Sequence, residues 1–587
     1  MFNSTLHAFA FLLLLQPMVL AVSKAYVELV NGTPYDWHLI SNETHHTKWF
    51  PNATIPSGTS AESCISWILY LRDAKAEATY RIDNPSSLES FTVRAHRNPT
   101  KVEVVYHENL SSLNNPKNSI IDLIYSKNHP HPFILAGNGI STPYVSSNPP
   151  IPWMQRTIST LSLRPLRQIC MPMAHNAGAN IISDSLKGPG SLHNTQTQSN
   201  SVFMQLILGA RWLDIRPVFY EGKWMTYHGT YFAGKMWGAT GQSIESVIGD
   251  VNRFTKAHPG ELIVLDISHD ASNAWKWKKF SAIDWMNFYD LLSGIRNAWQ
   301  EPRGLEWDLS LLPFDKFVTK GGNSTVLVRI PCDAPLPVST LPGRGKRDAN
   351  TTLTASSAGC DSVSSDDYLV PWNTTDSLDS QEPSSSLINR RKASKIPDSI
   401  RKYCLSFHIA VPSLKVDLNI TISRVFHSVF SFKSLAPLDA LQRLCLPDPL
   451  SRHTPADYKI PFTLLPASRL PVTGHYSATD SPSQLASSQV HLLTQHKSSS
   501  AITSTNPAQM HKSTWILTQP STSQADIGNW WSSKLGYAIL AQRSLFRNFE
   551  GLVREGGKER KPNLIEVDYI RTQDVAALAM AINVWEE

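Results

Sequence analysis

A handful of residues in this chain have the types and spacing to do acid–base chemistry on an anion. His175 and Asn176 stand in MAHNAG, Asp214 and Arg216 in WLDIR, His228 in TYHG, and Asp568 in IEVDYI. One histidine can take a proton from an attacking hydroxyl while the other gives one to a leaving oxygen. A guanidinium stabilises the charge that builds on a pentacoordinate phosphorus. A carboxylate behind the base fixes its tautomer. Together these are the parts needed to cleave a phosphodiester. Asp266 and His269 of LDISH, with Arg329 of VLVRI, offer further polar groups for the same mouth. Each has a plain alternative. The two-residue period of a strand puts Asp214 and Arg216 on one face, which an edge-strand salt bridge explains as well as an anion site does. The coincidence of the set, not any one member, favours the anion site.

The elements that must position this set follow a strand–helix rhythm from residue 158. RQICMPMAH is a strand running into a loop, and TQSNSVFMQLILGA is a helix stopped by Gly209. Ile244, Val247, Ile248, Val251 and Phe254 form a helical stripe closed by Pro259-Gly260. ELIVLDISH is nearly all apolar, as expected of a strand buried on both faces. Ser281 and Asp284 cap a further helix, and STVLVRI is one more strand. This order predicts an α/β fold, a parallel (β/α) barrel of TIM type, whose chemistry sits where strands end. WMTYH is read as the third strand, ending in His228. Residues 158–335 are assigned to the first part of the barrel and 511–587 to its last strands and helices. Between them, 336–510 is rich in Ser, Thr and Pro with basic clusters, and is expected to be a disordered insertion.

The ordered succession MAHNAG, GARWLDIR, TYHG, HPGELIVLDISH and NLIEVDYI resembles the X-domain barrel of phosphatidylinositol-specific phospholipase C. It is most similar to the bacterial-type and secreted fungal phospholipase C-like phosphodiesterases. The resemblance spans about 160–335 and 512–586. It implies His175 as general base, His228 as general acid, Arg216 in the place of a calcium ion, Asp568 as the carboxylate orienting the base, and Asp214 as the supporting acid beside Arg216. Asn176, Arg329 and His269 are the implied substrate contacts. No cofactor and no metal are expected, calcium included, because Arg216 stands where a calcium-binding acid would. Two departures stand out: Asn176 replaces a common Asp, the carboxylate that backs the general acid, and the fourth strand offers Ser268 and His269 where a substrate-clamping lysine is usual. The Asp and Tyr that would hold an inositol ring have only Asp367-Tyr368 as candidates. The implied activity is phosphodiester cleavage, with a catalytically weak or inactive binding protein on the same barrel as the alternative.

Outside the barrel, residues 22–137 alternate with period two in YVELV, ATYRI, FTVRA, KVEVVY and SIIDLIY, which predicts a small β-sandwich. Residues 138–157 are assigned to a linker. The apolar run Phe9–Leu20 with small residues near Ala21 reads as a secretory signal over 1–21, so a secreted, extracellular protein is expected. Acceptor triplets at Asn31, Asn42, Asn52, Asn109, Asn323, Asn350, Asn373 and Asn419 suit a glycoprotein. The six cysteines carry no CxxC pair, which argues against a structural zinc site. A net charge of +6 over 587 residues and the absence of a nucleic-acid motif leave a phosphodiester or phospholipid as the expected partner, met by a monomer in transient contact with a membrane surface.

Overall fold

Eight short strands, all paired in parallel, build the framework of the site. They are β1 (Met171–Ala174), β2 (Trp212–Ile215), β3 (Leu262–Ile267), β4 (Thr325–Ile330), β5 (Leu464–Pro466), β6 (Val472–Thr473), β7 (Met510–Trp515) and β8 (Leu564–Val567). Their order in the sheet is β5-β4-β3-β2-β1-β8-β7-β6, an α/β barrel in which, among the described residues, β5 and β6 do not pair. This computed structural model describes residues 22–68, 72–126, 128–184, 186, 190–232, 235–268, 271–272, 279–302, 305, 308–337, 460–498, 509–519, 533–554 and 561–585. Residues 1–21, expected to be a signal segment, His269 and Asp367-Tyr368 lie outside them.

Local chemistry explains the helices between the strands. Ser201 caps α1 (Val202–Ile207), accepting from the Met204 amide. Gly209 then turns the chain at φ 100°, where a Cβ would meet the Ala576 methyl at 2.3 Å. Helix α2 (Ile244–Ala257) buries the predicted stripe Ile244, Val247, Ile248, Val251 and Phe254. Helix α3 (Ala282–Leu292) starts with the complete Ser281–Asp284 capping box. After β6 comes α4 (Pro482–Ser498), after β7 come α5 (Lys534–Arg547) and α6 (Phe549–Val553), and α7 (Asp574–Val584) follows β8. Every residue of β3 is buried, as its unbroken apolar run requires.

Three sequence expectations change. Residues 460–498, assigned to the insertion, supply β5, β6 and α4. WMTYH is not a barrel strand: it lies within Lys223–Phe232, the middle of a separate antiparallel hairpin sheet made with Pro217–Tyr220 and Lys235–Ser243. Hairpin strands and half-buried barrel strands share the same alternation, so periodicity could not separate them. The 138–157 stretch is ordered and docked, with Val145–Ser146 joining a sheet and buried Trp153 donating from Nε1 to the Gly209 carbonyl at 3.1 Å.

Residues 22–146 form two sheets, one of five strands and one of six, and the five alternating stretches all contribute strands. Trp37, Phe91 and Phe133 interlock between the sheets, with Trp37–Phe91 centroids 5.0 Å apart and Phe91–Phe133 centroids 4.8 Å apart. The first sheet meets the barrel through Glu62, which accepts from both Arg543 and Arg547 of α5. Asn31 is fully buried and bonded through its own amide to the carbonyls of Tyr35 and Ile55, so its triplet is no glycan acceptor; Asn42, Asn52, Asn109 and Asn323 are exposed. Cys64 and Cys170 are free thiols, and Cys332 is disulfide-bonded. Among the described residues no helix is long and apolar enough to cross a membrane.

Candidate active site

The C-terminal ends of β1, β2 and β8 deliver one hydrogen-bonded chain. His175 follows β1 and Asp568 follows β8, strands paired so that Ala174 faces Val567. That register sets His175 Nδ1 2.7 Å from Asp568 Oδ1. On the other side of the ring, an Arg216 amino group lies 2.8 Å from Nε2. Arg216 Nε donates to Asp214 Oδ2 at 3.0 Å, so the two charges do share a face of the chain. Asp214 also accepts from the Asn176 amide at 2.9 Å and from the Ser268 hydroxyl at 2.5 Å. It therefore ties the ends of β1, β2 and β3 together. His175, Asp214, Arg216 and Asp568 are all buried.

The donors in this chain fix a protonation state. Guanidinium carries donors only, so the bond from Arg216 requires a lone pair on His175 Nε2. The remaining ring proton then sits on Nδ1 and is donated to Asp568. His175 is thus a neutral imidazole whose basic nitrogen faces Arg216, the form a general base needs.

His228 reaches the same space from the hairpin, its ring edge-to-face with that of His175 at a centroid separation of 6.0 Å and an angle of 83°. Its Nδ1 lies 2.6 Å from the Thr195 carbonyl. A carbonyl only accepts, so Nδ1 keeps its proton and Nε2 is the nitrogen turned to chemistry. Burial lowers the imidazole's pKa well below its ordinary value, and the charges of Lys534 and Arg216 push it the same way.

The remaining expected residues lie elsewhere in the network. Asn176 is fully buried at φ 42°, and neither polar atom of its side-chain carboxamide has a hydrogen-bond partner among the described residues. Asn tolerates that left-handed turn better than most residues, and it is the Thr195 carbonyl, not position 176, that supports His228. Arg329 is held within the barrel by Asp266 at 2.6 Å and by the Leu470 carbonyl at 3.1 Å. Asp266 also accepts from Trp212 Nε1 at 2.9 Å. Asp266 and Arg329 are in register across β3 and β4, and no described contact joins them to His175, Arg216 or His228.

Sequence reasoning missed Thr195, Ser268 and Lys534. Thr195 acts through its carbonyl, which leaves no side-chain signature. Ser268 was noted only as a residue standing where a lysine is usual. Lys534 opens α5, and its charge is felt by His228. A cation in the first helical turn opposes the helix dipole, and that was the available signal. For metals, the one described group of three close ligating side chains is His45, His46 and Asp73, in the N-terminal sheets.

With this geometry in place, comparisons with known proteins fall on one group. The chain is similar to the phosphatidylinositol-specific phospholipase C X-box proteins. One such protein from Dictyostelium discoideum, described as PI-PLC X-box domain-containing, is 26% identical over 128 residues. The match covers 20% of this chain and 16% of that relative, so the chain spans under a fifth of its length. Two solved structures of phosphatidylinositol-specific phospholipase C from Staphylococcus aureus also match. One is a variant with 12% identity and a TM-score of 0.38, covering 74% of this chain and 98% of that one. The other, from work on that enzyme's membrane binding, has 12% identity and a TM-score of 0.38, covering 75% and 99%. No family model matches the chain.

Proposed function

We propose that the protein is a secreted, metal-independent phosphodiesterase of phospholipase C type, acting on a phosphatidylinositol-type lipid or a related phosphodiester. The observation that carries this reading is the neutral His175, held between Asp568 and Arg216 with the His228 ring 6.0 Å away. A substrate hydroxyl gives its proton to His175 Nε2 as its oxygen attacks phosphorus. The new P–O bond forms as the bond to the leaving oxygen breaks, and that oxygen takes the proton from Nε2 of protonated His228. Asp568 stabilises the imidazolium created at His175. Arg216 is released from Nε2 by that protonation and turns its donors to the phosphoryl oxygens, while Asp214 keeps it in place. A cyclic phosphate is the first product when the attacking hydroxyl belongs to the same alcohol, and slow hydrolysis by the reverse proton traffic follows.

Exposed Ile181, Leu192 and Trp237 stand on the segments that carry or support His228 and suit brief contact with a lipid surface. The test is turnover of a chromogenic myo-inositol phosphodiester by the purified protein in chelator, beside His175→Ala and His228→Ala. Chelator-resistant turnover lost in both variants supports the reading. Its absence with this and simpler diesters, from a folded protein, overturns it in favour of a binding protein on the same barrel.

A further inference from the structure

Helix α5 is fastened to both halves of the acid–base machinery. At its start, the Lys534 amide donates to the His193 carbonyl at 3.0 Å, two residues before the Thr195 carbonyl that holds His228. Two turns later, Gln542 Nε2 donates to the carbonyls of Asp568 and Tyr569 at 2.7 and 3.0 Å. The first turn of α5 is thereby set beside the mouth, with Ser533 Oγ capping it by accepting from the Gly536 amide.

The Lys534 side chain is partly buried there and makes no hydrogen bond or ion pair among the described residues. Its ammonium feels Asp568 and Arg216, and burial lowers its pKa. A desolvated cation at a helix N-terminus, with no hydrogen bond or ion pair among the described residues, is an unfavourable placement twice over. Such a placement is understandable where a ligand supplies the counter-charge.

Formal charges give that ligand's class. Arg216 is matched by Asp214, and His175 is neutral in the resting site. When His228 is protonated for its role, Arg216, Lys534 and His228 stand against Asp214 and Asp568 among the described residues. One positive charge is left over, the complement of a monoanion. Without Lys534 there is none.

Building on the phosphodiesterase reading, we infer that Lys534 is the residue that neutralises the substrate phosphate, and that it sets the site to accept monoanionic phosphodiesters and disfavour dianionic phosphomonoesters. The lysine absent from the fourth strand is thus replaced from a different element, the helix after β7. Product escape follows from the same arithmetic whenever hydrolysis yields a dianion.

The test uses the full chain and Lys534→Met, with Lys534→Arg as the charge-retaining control. Substitution leaves the backbone bond to His193 intact, and circular dichroism checks the fold. Diester turnover is measured, and bis(4-nitrophenyl) phosphate and phenyl phosphate are titrated while the His228 ring is followed by NMR. Lys534→Met is expected to lose roughly 100-fold in kcat/KM, to bind the diester more weakly, and to raise the His228 pKa, with Lys534→Arg close to wild type. Retention of diester binding and an unmoved His228 titration in Lys534→Met would overturn the inference even if the wild type turns over. If the wild type binds the diester monoanion through Lys534 but does not cleave it, the inference stands and the phosphodiesterase reading fails.

Discussion

The Nδ1 of His228 is held by the backbone carbonyl of Thr195, at 2.6 Å, and not by a carboxylate. A carbonyl orients the ring but offers only a partial charge to an imidazolium, while burial and two neighbouring cationic side chains, Lys534 and Arg216, work against protonation. The group that must donate the proton therefore titrates below the ordinary histidine range. Activity through kcat/KM is expected to fall as pH rises through that lowered value, placing the optimum on the acid side of pH about 6.5. A kcat/KM profile between pH 4 and 8 checks this. An alkaline limb at or above the ordinary histidine value would contradict it.

Asp568 is predicted to act through the tautomer of His175. Replacing it with Asn leaves a side chain of the same shape that can turn its amide N–H groups toward Nδ1. That would move the ring proton to Nε2 and remove the base. Asp568→Asn should lower kcat by about 10²–10⁴-fold, with little change in thermal midpoint. A loss of under about tenfold would mean that Asp568 serves only to pack β8 against β1.

Much of this arrangement was legible in the sequence for definite reasons. Asp214 and Arg216 share a face because a strand's period allows nothing else, and Asp568 follows an apolar strand whose neighbour ends in His175. The stripe of α2 and the Ser281–Asp284 box are local features, written within one or two turns of chain. What escaped was non-local or unmarked. Strands β5 and β6 have three and two residues, too few to show a period, and their Ser- and Thr-rich flanks resemble the insertion. His228 was recognised, but its hairpin was taken for a barrel strand because both alternate alike. Arg329 ends a predicted strand as expected, yet its pairing with Asp266 depends on the β3–β4 register, which a single sequence does not give.

Glu28 and Glu62 face each other directly across two antiparallel strands, and like charges so placed repel. Arg543 and Arg547 of α5 compensate at Glu62, while Glu28 is 1% exposed at its side chain and both of its oxygens lack a hydrogen bond. Burial first, then Glu62, raise the Glu28 pKa to about 8, opposed by the two arginines. An acid raised in the fold binds its proton more tightly there than when unfolded. Its contribution is therefore fully present below the unfolded value of 4.5 and is lost as pH rises through about 8. Glu28→Gln should melt close to wild type near pH 4.5 and progressively above it toward pH 8. Parallel melting curves across that range would show that Glu28 is not protonated in the fold.

The motifs GARW and HPGE contribute to the framework through one pair. Arg211 and Glu261 have side chains with no exposure, and Arg211 Nε donates to Glu261 at 2.7 Å. The guanidinium also donates to the carbonyls of Ile151, Leu206 and Ala210, while Glu261 accepts from the amides of Met154 and Gln155. This single pair thus joins the entry to the barrel, the end of α1 and the start of β3, away from His175 and His228. Burial opposes charge on both partners, raising the Glu261 pKa and lowering that of Arg211, and the charge of each opposes that shift on the other. Arg211→Met leaves a buried carboxylate without its counter-charge and removes a donor from three carbonyls, and should cost about 3–5 kcal/mol of stability. Arg211→Met with Glu261→Gln removes the stranded charge and should recover a large part of that loss. Denaturant unfolding of the single and double variants measures the difference, and equal destabilisation in both would mean that the carbonyl contacts of Arg211, not its charge partner, hold the strands together.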